Sequence, residues 1–373
     1  MIVGVPAEIK TEEYRIAITP VLVEELVAHG HEVIVQSNAG IGSSISDDEL
    51  QAAGAGLVES AAAVFETAEL ILKVKEPQLG EIELLGPGQM LFTYLHLAAY
   101  PKQAAALVES GVIAIAYETV QLPSGELPML TPMSEIAGRM AAQAGANYME
   151  RPRGGRGVLI GGATGVPPAN VTVIGAGNAG KHATIVAAGM GASVTVLDVD
   201  PAPLREIDEL RLGRVVTSQS SKAAIDYYVP RSDLLVGAVL VTGARAPVVV
   251  SAEHIKQMRA GSVVVDISID QGGCIETAHE TTHAEPTYVV DGVTHYAVGN
   301  IPGAVPNTST YALTNATMPY ASALAEGLDN ATARHPELID GINVARGKVT
   351  NRAVAEALDV VYHEPSTVLS GSL

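Results

Sequence analysis

The chain has one cysteine, Cys274, which excludes an internal disulfide framework and any zinc site built on several thiolates. No apolar run approaches the roughly 20 residues that a membrane-crossing helix needs, so no transmembrane segment is expected. The opening residues, MIVGVPAEIK, place no basic region ahead of an apolar core, and no secretory signal is expected. Basic residues are scarce: 22 stand against 41 acids, a formal net charge of −19. That balance repels nucleic acid and anionic membrane surfaces, and its plain reading is a solvated surface that keeps the protein soluble. Neither a convincing internal repeat nor a low-complexity tract is present, and the cytoplasm is the expected compartment. An anionic substrate would have to be caught by a few placed cations, so the positions of Arg and Lys are informative.

Hydrophobic residues make up 47% of the 373 and charged residues 17%, a composition that folds and is long enough for two domains. The most informative stretch is 171–198, VTVIGAGNAGKHATIVAAGMGASVTVLD. A β-branched run breaks at Gly175, and Gly175, Gly177 and Gly180 then spell G-x-G-x-x-G ahead of a helix rich in small residues and a second strand ending at Asp198. In such a unit Gly175 makes the turn, Gly177 admits a pyrophosphate and Gly180 lets helix and strand pack, while the helix N-terminus faces the phosphates. Asp198, eighteen residues past the last glycine, is placed to accept from the adenosine ribose hydroxyls. A 2′-phosphate would meet its charge there, which favours NAD over NADP. The same letters nearly spell a nucleotide-hydrolase loop through Gly175, Gly180 and Lys181, but the Ser or Thr that would hold magnesium is replaced by His182.

Taken in order, the chain predicts strands at 2–6, 31–36, 70–74, 90–95 and 112–117, with helices at 20–27, 47–53 and 104–108, a parallel α/β sheet. A Pro- and Gly-marked stretch at 122–132 reads as a crossing, followed by a long helix at 133–149 and a glycine-rich loop at 154–165. Strands at 214–217, 234–239, 262–267 and 295–298 would complete a six-strand Rossmann set. A second long helix at 309–328 returns the chain, and residues 336–360 look helical. The expected fold is α/β: a Rossmann dinucleotide-binding domain, 131–306, inserted into a discontinuous second α/β domain, 1–130 and 307–373, with a cleft between them.

Ligands of such sheets sit at the carboxyl ends of the strands, and Arg15, Lys75 and His96 all fall at or after a predicted strand end. Oxidising a small carboxylate requires a cation for the carboxylate and a group that exchanges protons near neutrality. Arg15 offers a bidentate fork, Lys75 a second cation and His96 the titrating group. A lone basic residue is more commonly a solvated surface group, and a histidine ending an apolar strand is as commonly a hydrogen-bonded core residue. From spacing alone those alternatives stay open.

Several blocks resemble the L-alanine dehydrogenase family: EYRIAITP around Arg15, LILKVKEP around Lys75, LFTYLHLA around His96, IAYETV at 115–120 and MSEIAGRMAAQAGA at 133–146. So do VIGAGNAG, GAVLVTGARAP at 237–247, VVVDISIDQGGCIE at 263–276 and TSTYALTNATMPY at 308–320, and the likeness thins only after about residue 325. The resemblance implies a homohexameric NAD enzyme interconverting L-alanine with pyruvate and ammonia through an imine; no metal site is expected from the sequence. It implies that Arg15 and Lys75 bind the substrate carboxylate and carbonyl, that His96 is the general acid/base and that Asp270, beside the nicotinamide, is the second catalytic residue. Ser134, Asn178, Ala179, Asp198, Ser220, Val239, Leu240, Ile267, Asp270, Val298, Asn300 and Ile301 match positions that touch NAD, beside the three glycines. Pro203 stands where many relatives have a basic residue, with Arg205 nearby, and His279 and Asn307 replace an arginine and a lysine. Cys274 is expected to be buried and structural. The transhydrogenase dinucleotide-binding subunit shares this architecture, as does a saccharopine enzyme whose own blocks are missing here, and a non-catalytic NAD-binding protein is the reading from another class.

Overall fold

The computed structural model describes residues 1–239 and 246–371. Two compact units divide it, Met1–Met133 with Val305–Leu373, and Ser134–Ala304.

The first unit is built on strands β1 (Ile2–Val5), β2 (Glu32–Gln36), β3 (Gly56–Val58), β4 (Leu70–Leu72), β5 (Met90–Thr93) and β6 (Ile113–Ala116). They lie parallel in the order β3-β2-β1-β4-β5-β6. The central strands β4, β5 and β6 are buried throughout, which is why they read as unbroken apolar runs. Ile71, Leu91 and Ala114 of these strands meet Leu107 from helix Pro101–Ser110 and Val354 from helix Arg352–Leu358 in one core. The order reverses direction between β1 and β4, a topological switch point, and the loops leaving β1, β4 and β5 carry Arg15, Lys75 and His96.

In the second unit β7 (Asn170–Ile174), β8 (Ser193–Asp198), β9 (Val215–Gln219), β10 (Leu234–Gly237) and β11 (Val263–Asp266) are followed by β12 (Thr287–Val290) and β13 (Val293–Tyr296). Six of them run parallel in the order β9-β8-β7-β10-β11-β13, the Rossmann arrangement. On one face, Ala137 and Ala141 of helix Thr131–Tyr148 and Ala183 and Ala187 of helix Asn178–Gly189 pack with Val171, Val173, Val194 and Val196. Small residues let these helices approach closely: a Cβ on Gly138 would lie 2.0 Å from the Ala179 carbonyl oxygen.

Two expectations need correction. Residues 336–360 are not continuously helical: helix Leu338–Gly341 gives way to β14 (Ile342–Ala345) and β15 (Lys348–Val349) before helix Arg352–Leu358. β14 pairs antiparallel with β6, adding two strands to a sheet that is otherwise parallel. The turn is Arg346-Gly347, both at positive φ (47° and 77°), a primed hairpin turn that Arg rarely occupies, so no turn signal marked it. The Rossmann sheet carries a seventh strand, β12, antiparallel to β13 and joined to it at Asp291-Gly292 (φ 49° and 79°). That Asp-Gly pair is a strong hairpin signal and was readable in advance. β3 and helix Ala61–Thr67 also lay outside the sequence reading.

Candidate active site

Arg15 is not a surface cation. It is 2% exposed, and its guanidinium is gripped by Glu13, with Nε donating to Oε1 at 2.7 Å and Nη2 to Oε2 at 2.5 Å. Nη1 lies 3.2 Å from Met133 Sδ. Burial pushes the Glu13 carboxyl up, but the charge and hydrogen bonds of Arg15 and the charge of Lys75 outweigh it and hold the group at about 2. Glu13, Arg15 and Lys75 therefore form one electrostatic group of net charge +1, suited to a single carboxylate.

Lys75 is presented by a tightly tied segment. Its carbonyl oxygen accepts from Thr93 Oγ1 at 2.9 Å. Two residues earlier Lys73 is 1% exposed and donates to Glu81 Oε1 at 2.8 Å and Glu8 Oε2 at 3.1 Å. The second Glu8 oxygen accepts from the Val74 amide at 2.6 Å, and Glu76 pairs with Lys10. Burial raises the pKa of Glu8 despite Lys73, while for Lys73 burial opposes the charge and its two carboxylates raise it. These charges fix where the loop after β4 goes.

His96 is not a core histidine: its side chain is 36% exposed. It sits three residues past β5, which ends at Thr93, short of the expected 95, and it adopts a left-handed φ of 48°. Its ring stacks parallel on Tyr94, centroids 5.7 Å apart and planes 4° apart. The buried Tyr94 hydroxyl donates to the Met129 carbonyl at 2.6 Å, and burial pushes this phenol well up.

In the second unit the three glycines differ. A Cβ on Gly175 (φ 100°) would sit 2.3 Å from the Ala238 carbonyl oxygen, and one on Gly180 only 1.8 Å from that of Gly175. A Cβ on Gly177 would meet nothing within 4 Å, so this glycine alone keeps an approach open at the start of helix Asn178–Gly189. Asn178 and Ala179 form the first turn of that helix. Asp198, ending β8, accepts from the Ala176 amide at 2.6 Å and the Asp200 amide at 2.9 Å, and its carbonyl accepts from Ser220 at 2.7 Å. An open glycine, a helix N-terminus and a strand-end acid are the donor and acceptor set a dinucleotide requires.

Val239 follows β10, and Leu240 lies outside the described residues. Ile267 and Asp270 belong to the 3₁₀ turn Ile267–Gln271 after β11. Val298, Asn300 and Ile301 follow β13, with Asn300 at φ 66° and its carbonyl accepting from His283 Nε2 at 3.0 Å. Gly299 lets the two segments approach, since a Cβ there would lie 3.2 Å from Asp270 Oδ1 and 2.1 Å from Glu280 Oε1. Ser134 lies on helix Thr131–Tyr148.

Both halves of the chain match known families: residues 4–137 the "Alanine dehydrogenase/PNT, N-terminal domain" and residues 141–352 the "Alanine dehydrogenase/PNT, C-terminal domain". The chain belongs to the alanine dehydrogenase/PNT family. An alanine dehydrogenase of Methanococcus maripaludis is 53% identical over 364 residues, 97% of this chain and 98% of that one. A solved L-alanine dehydrogenase superposes with a TM-score of 0.93 at 46% identity, covering 96% of this chain and 99% of its own. A transhydrogenase from Sinorhizobium meliloti superposes at 0.80 with 25% identity, covering 95% and 100%.

Within this alanine dehydrogenase/PNT fold, the departures take up other contacts. His279 stacks on Tyr288 at 3.6 Å, and Asn307 donates to the Ser43 carbonyl at 2.7 Å within the first unit. Pro203 lies in helix Pro201–Glu209, capped by Asp200, with Arg205 exposed on it. His182 lies 3.6 Å from Glu135 Oε1, and burial lowers its pKa. Cys274 is buried, with its thiol pushed up to about 12 by burial and then by Asp266.

Sequence reasoning missed Asp266, the buried end of β11. Its carboxylate accepts from the amides of Ser268 (2.9 Å), Cys274 (2.9 Å) and Ile275 (3.1 Å), closing the turn that carries Asp270. The acid ending the apolar run VVVD was the available signal. Burial pushes Asp266 from 3.8 to about 6 against those hydrogen bonds, so between these values the folded state holds a proton that the unfolded state has released. Its contribution to stability therefore falls as pH rises through that window. The native protein should gain on the order of 1 kcal/mol over Asp266→Asn as pH falls from 7 to 5, measured by denaturant unfolding at each pH.

Proposed function

We propose that this chain is an NAD-dependent L-alanine dehydrogenase, reversibly converting L-alanine to pyruvate and ammonia. The observation that carries this is the Glu13–Arg15–Lys75 group with His96 at the carboxyl ends of β1, β4 and β5, in a chain whose second unit has the dinucleotide loop. In this reading Arg15 and Lys75 hold the substrate carboxylate and its carbonyl, and Glu13 keeps the Arg15 fork in plane. A dinucleotide held at the glycine loop through its pyrophosphate would supply a nicotinamide to accept the hydride from the alanine α-carbon. His96 takes and returns the proton as water adds to the resulting imine and ammonia leaves, and Asp270 is the second proton-handling group.

The cofactor is NAD because the Asp198 carboxylate would face a 2′-phosphate with like charge. Asp198→Gly should raise KM for NAD about tenfold or more, the worth of hydrogen bonds to a charged group, and narrow the preference over NADP. Steady-state kinetics with both dinucleotides measures this, and an unchanged ratio would count against the assignment. Homohexameric assembly and a cytoplasmic location belong to the same proposal, and light scattering in solution tests the six-chain particle.

The test of the function itself is formation of NADH from L-alanine and NAD at alkaline pH by the purified protein. Turnover with L-alanine supports the reading. NAD binding without turnover points to a binding protein, and reduction that needs a second reduced dinucleotide points to the hydride relay of a transhydrogenase.

A further inference from the structure

His96 is held in an unfavourable backbone conformation, and one side chain from a neighbouring strand end reaches its amide. Glu118 lies in the 3₁₀ turn Tyr117–Thr119 that leaves β6, the parallel neighbour of β5. From there its carboxylate reaches across to the loop after β5. Oε1 accepts from the His96 amide at 2.6 Å, and both oxygens lie 3.2 Å from the Leu95 amide nitrogen. The left-handed φ of 48° at His96 is strained for a residue with a Cβ, so it persists where neighbours over-determine it. Two consecutive amides directed at one carboxylate supply that determination, because such charge-assisted bonds are about twice as strong as neutral ones.

The same carboxylate also faces the ring. Nδ1 of His96 stands 4.0 Å from Glu118 Oε1, on the side of the ring that faces the carboxylate. Tyr94, anchored by its hydroxyl at Met129, fixes the plane of the ring. With Nδ1 turned towards Glu118, Nε2 is the nitrogen left to exchange protons with a substrate.

We propose that Glu118 is the positioning residue of the proton-transfer step: it locks the His96 backbone through the amides of residues 95 and 96 and turns Nε2 towards the substrate. This rests on the reading of His96 as the general acid/base. Glu118 touches neither reacting atom in this scheme and acts only through His96.

The experiment compares Glu118→Gln, Glu118→Ala, His96→Ala and the double variant His96→Ala/Glu118→Ala in the full-length protein. Readouts are kcat, KM for L-alanine, NADH affinity by fluorescence and thermal midpoint. Glu118→Ala is expected to lower kcat about 100-fold, towards the range of general acid/base catalysis, with KM and NADH affinity within about twofold. Glu118→Gln, whose carbonyl oxygen still accepts from the His96 amide, should recover about tenfold of that loss. On the His96→Ala background, removing Glu118 should change kcat by less than about twofold, because the two residues act as a unit. Equal losses on both backgrounds would overturn the proposal, as would native kcat in both Glu118 variants while His96→Ala is impaired. Native kcat in His96→Ala would instead remove the reading of His96 and the proposal with it. If Glu118→Ala does not fold, the isosteric Gln variant decides: native kcat there with an unshifted thermal midpoint overturns the proposal, and a lowered kcat at unchanged KM supports it.

Discussion

Arg15→Met is expected to cost both folding stability and turnover, and the two losses separate. The substitution leaves Glu13 buried beside Lys75 with its bidentate partner gone, and breaking one side of a buried pair typically costs about 3–5 kcal/mol. It also removes the planar fork that recognises a carboxylate, which at about 1.5–3 kcal/mol is roughly a ten- to 150-fold rise in KM for L-alanine. Denaturant unfolding reads the first loss and steady-state kinetics the second. Adding Glu13→Gln to Arg15→Met removes the orphaned charge, so stability should return while KM stays high. Recovery of both together would mean that Arg15 serves the fold and does not hold the substrate.

His96→Ala is expected to lower kcat by about 10²–10⁴, the usual worth of a positioned acid/base, while NADH affinity is unchanged. Alanine at φ 48° inherits the left-handed strain, so a second variant is needed to separate loop placement from imidazole chemistry. Glycine adopts that conformation freely, and His96→Gly should therefore be as inactive as His96→Ala but at least as stable. An active His96→Gly would show that backbone placement at residue 96, and not imidazole chemistry, is what the reaction needs.

How far the sequence could be read depends on the distance over which each feature is encoded. The dinucleotide loop is local: three glycines, a helix and Asp198 lie within one βαβ stretch, and their spacing alone assigns a part to each. Positions at strand ends are nearly as local, since Arg15, Lys75 and His96 follow apolar runs that stop visibly. What could not be seen is partnership between distant residues. Lys73 and Glu8 are 65 residues apart, and His96 and Glu118 are 22 apart, meeting only because β5 and β6 are neighbours. Glu13 is two residues from Arg15, yet nothing local says that a pair so close will be buried and face itself. The C-terminal hairpin was hidden for a different reason, a left-handed Arg346 that tertiary pairing with β6 imposes against its own preference.

The direct test of the central claim is the fate of the α-hydrogen. With L-alanine deuterated at Cα and unlabelled NAD, the account predicts that deuterium appears at C4 of the reduced nicotinamide in step with pyruvate, and that Arg15→Met slows both equally. Reduced dinucleotide carrying no label, or label arriving only from a second reduced dinucleotide with alanine left intact, would contradict it.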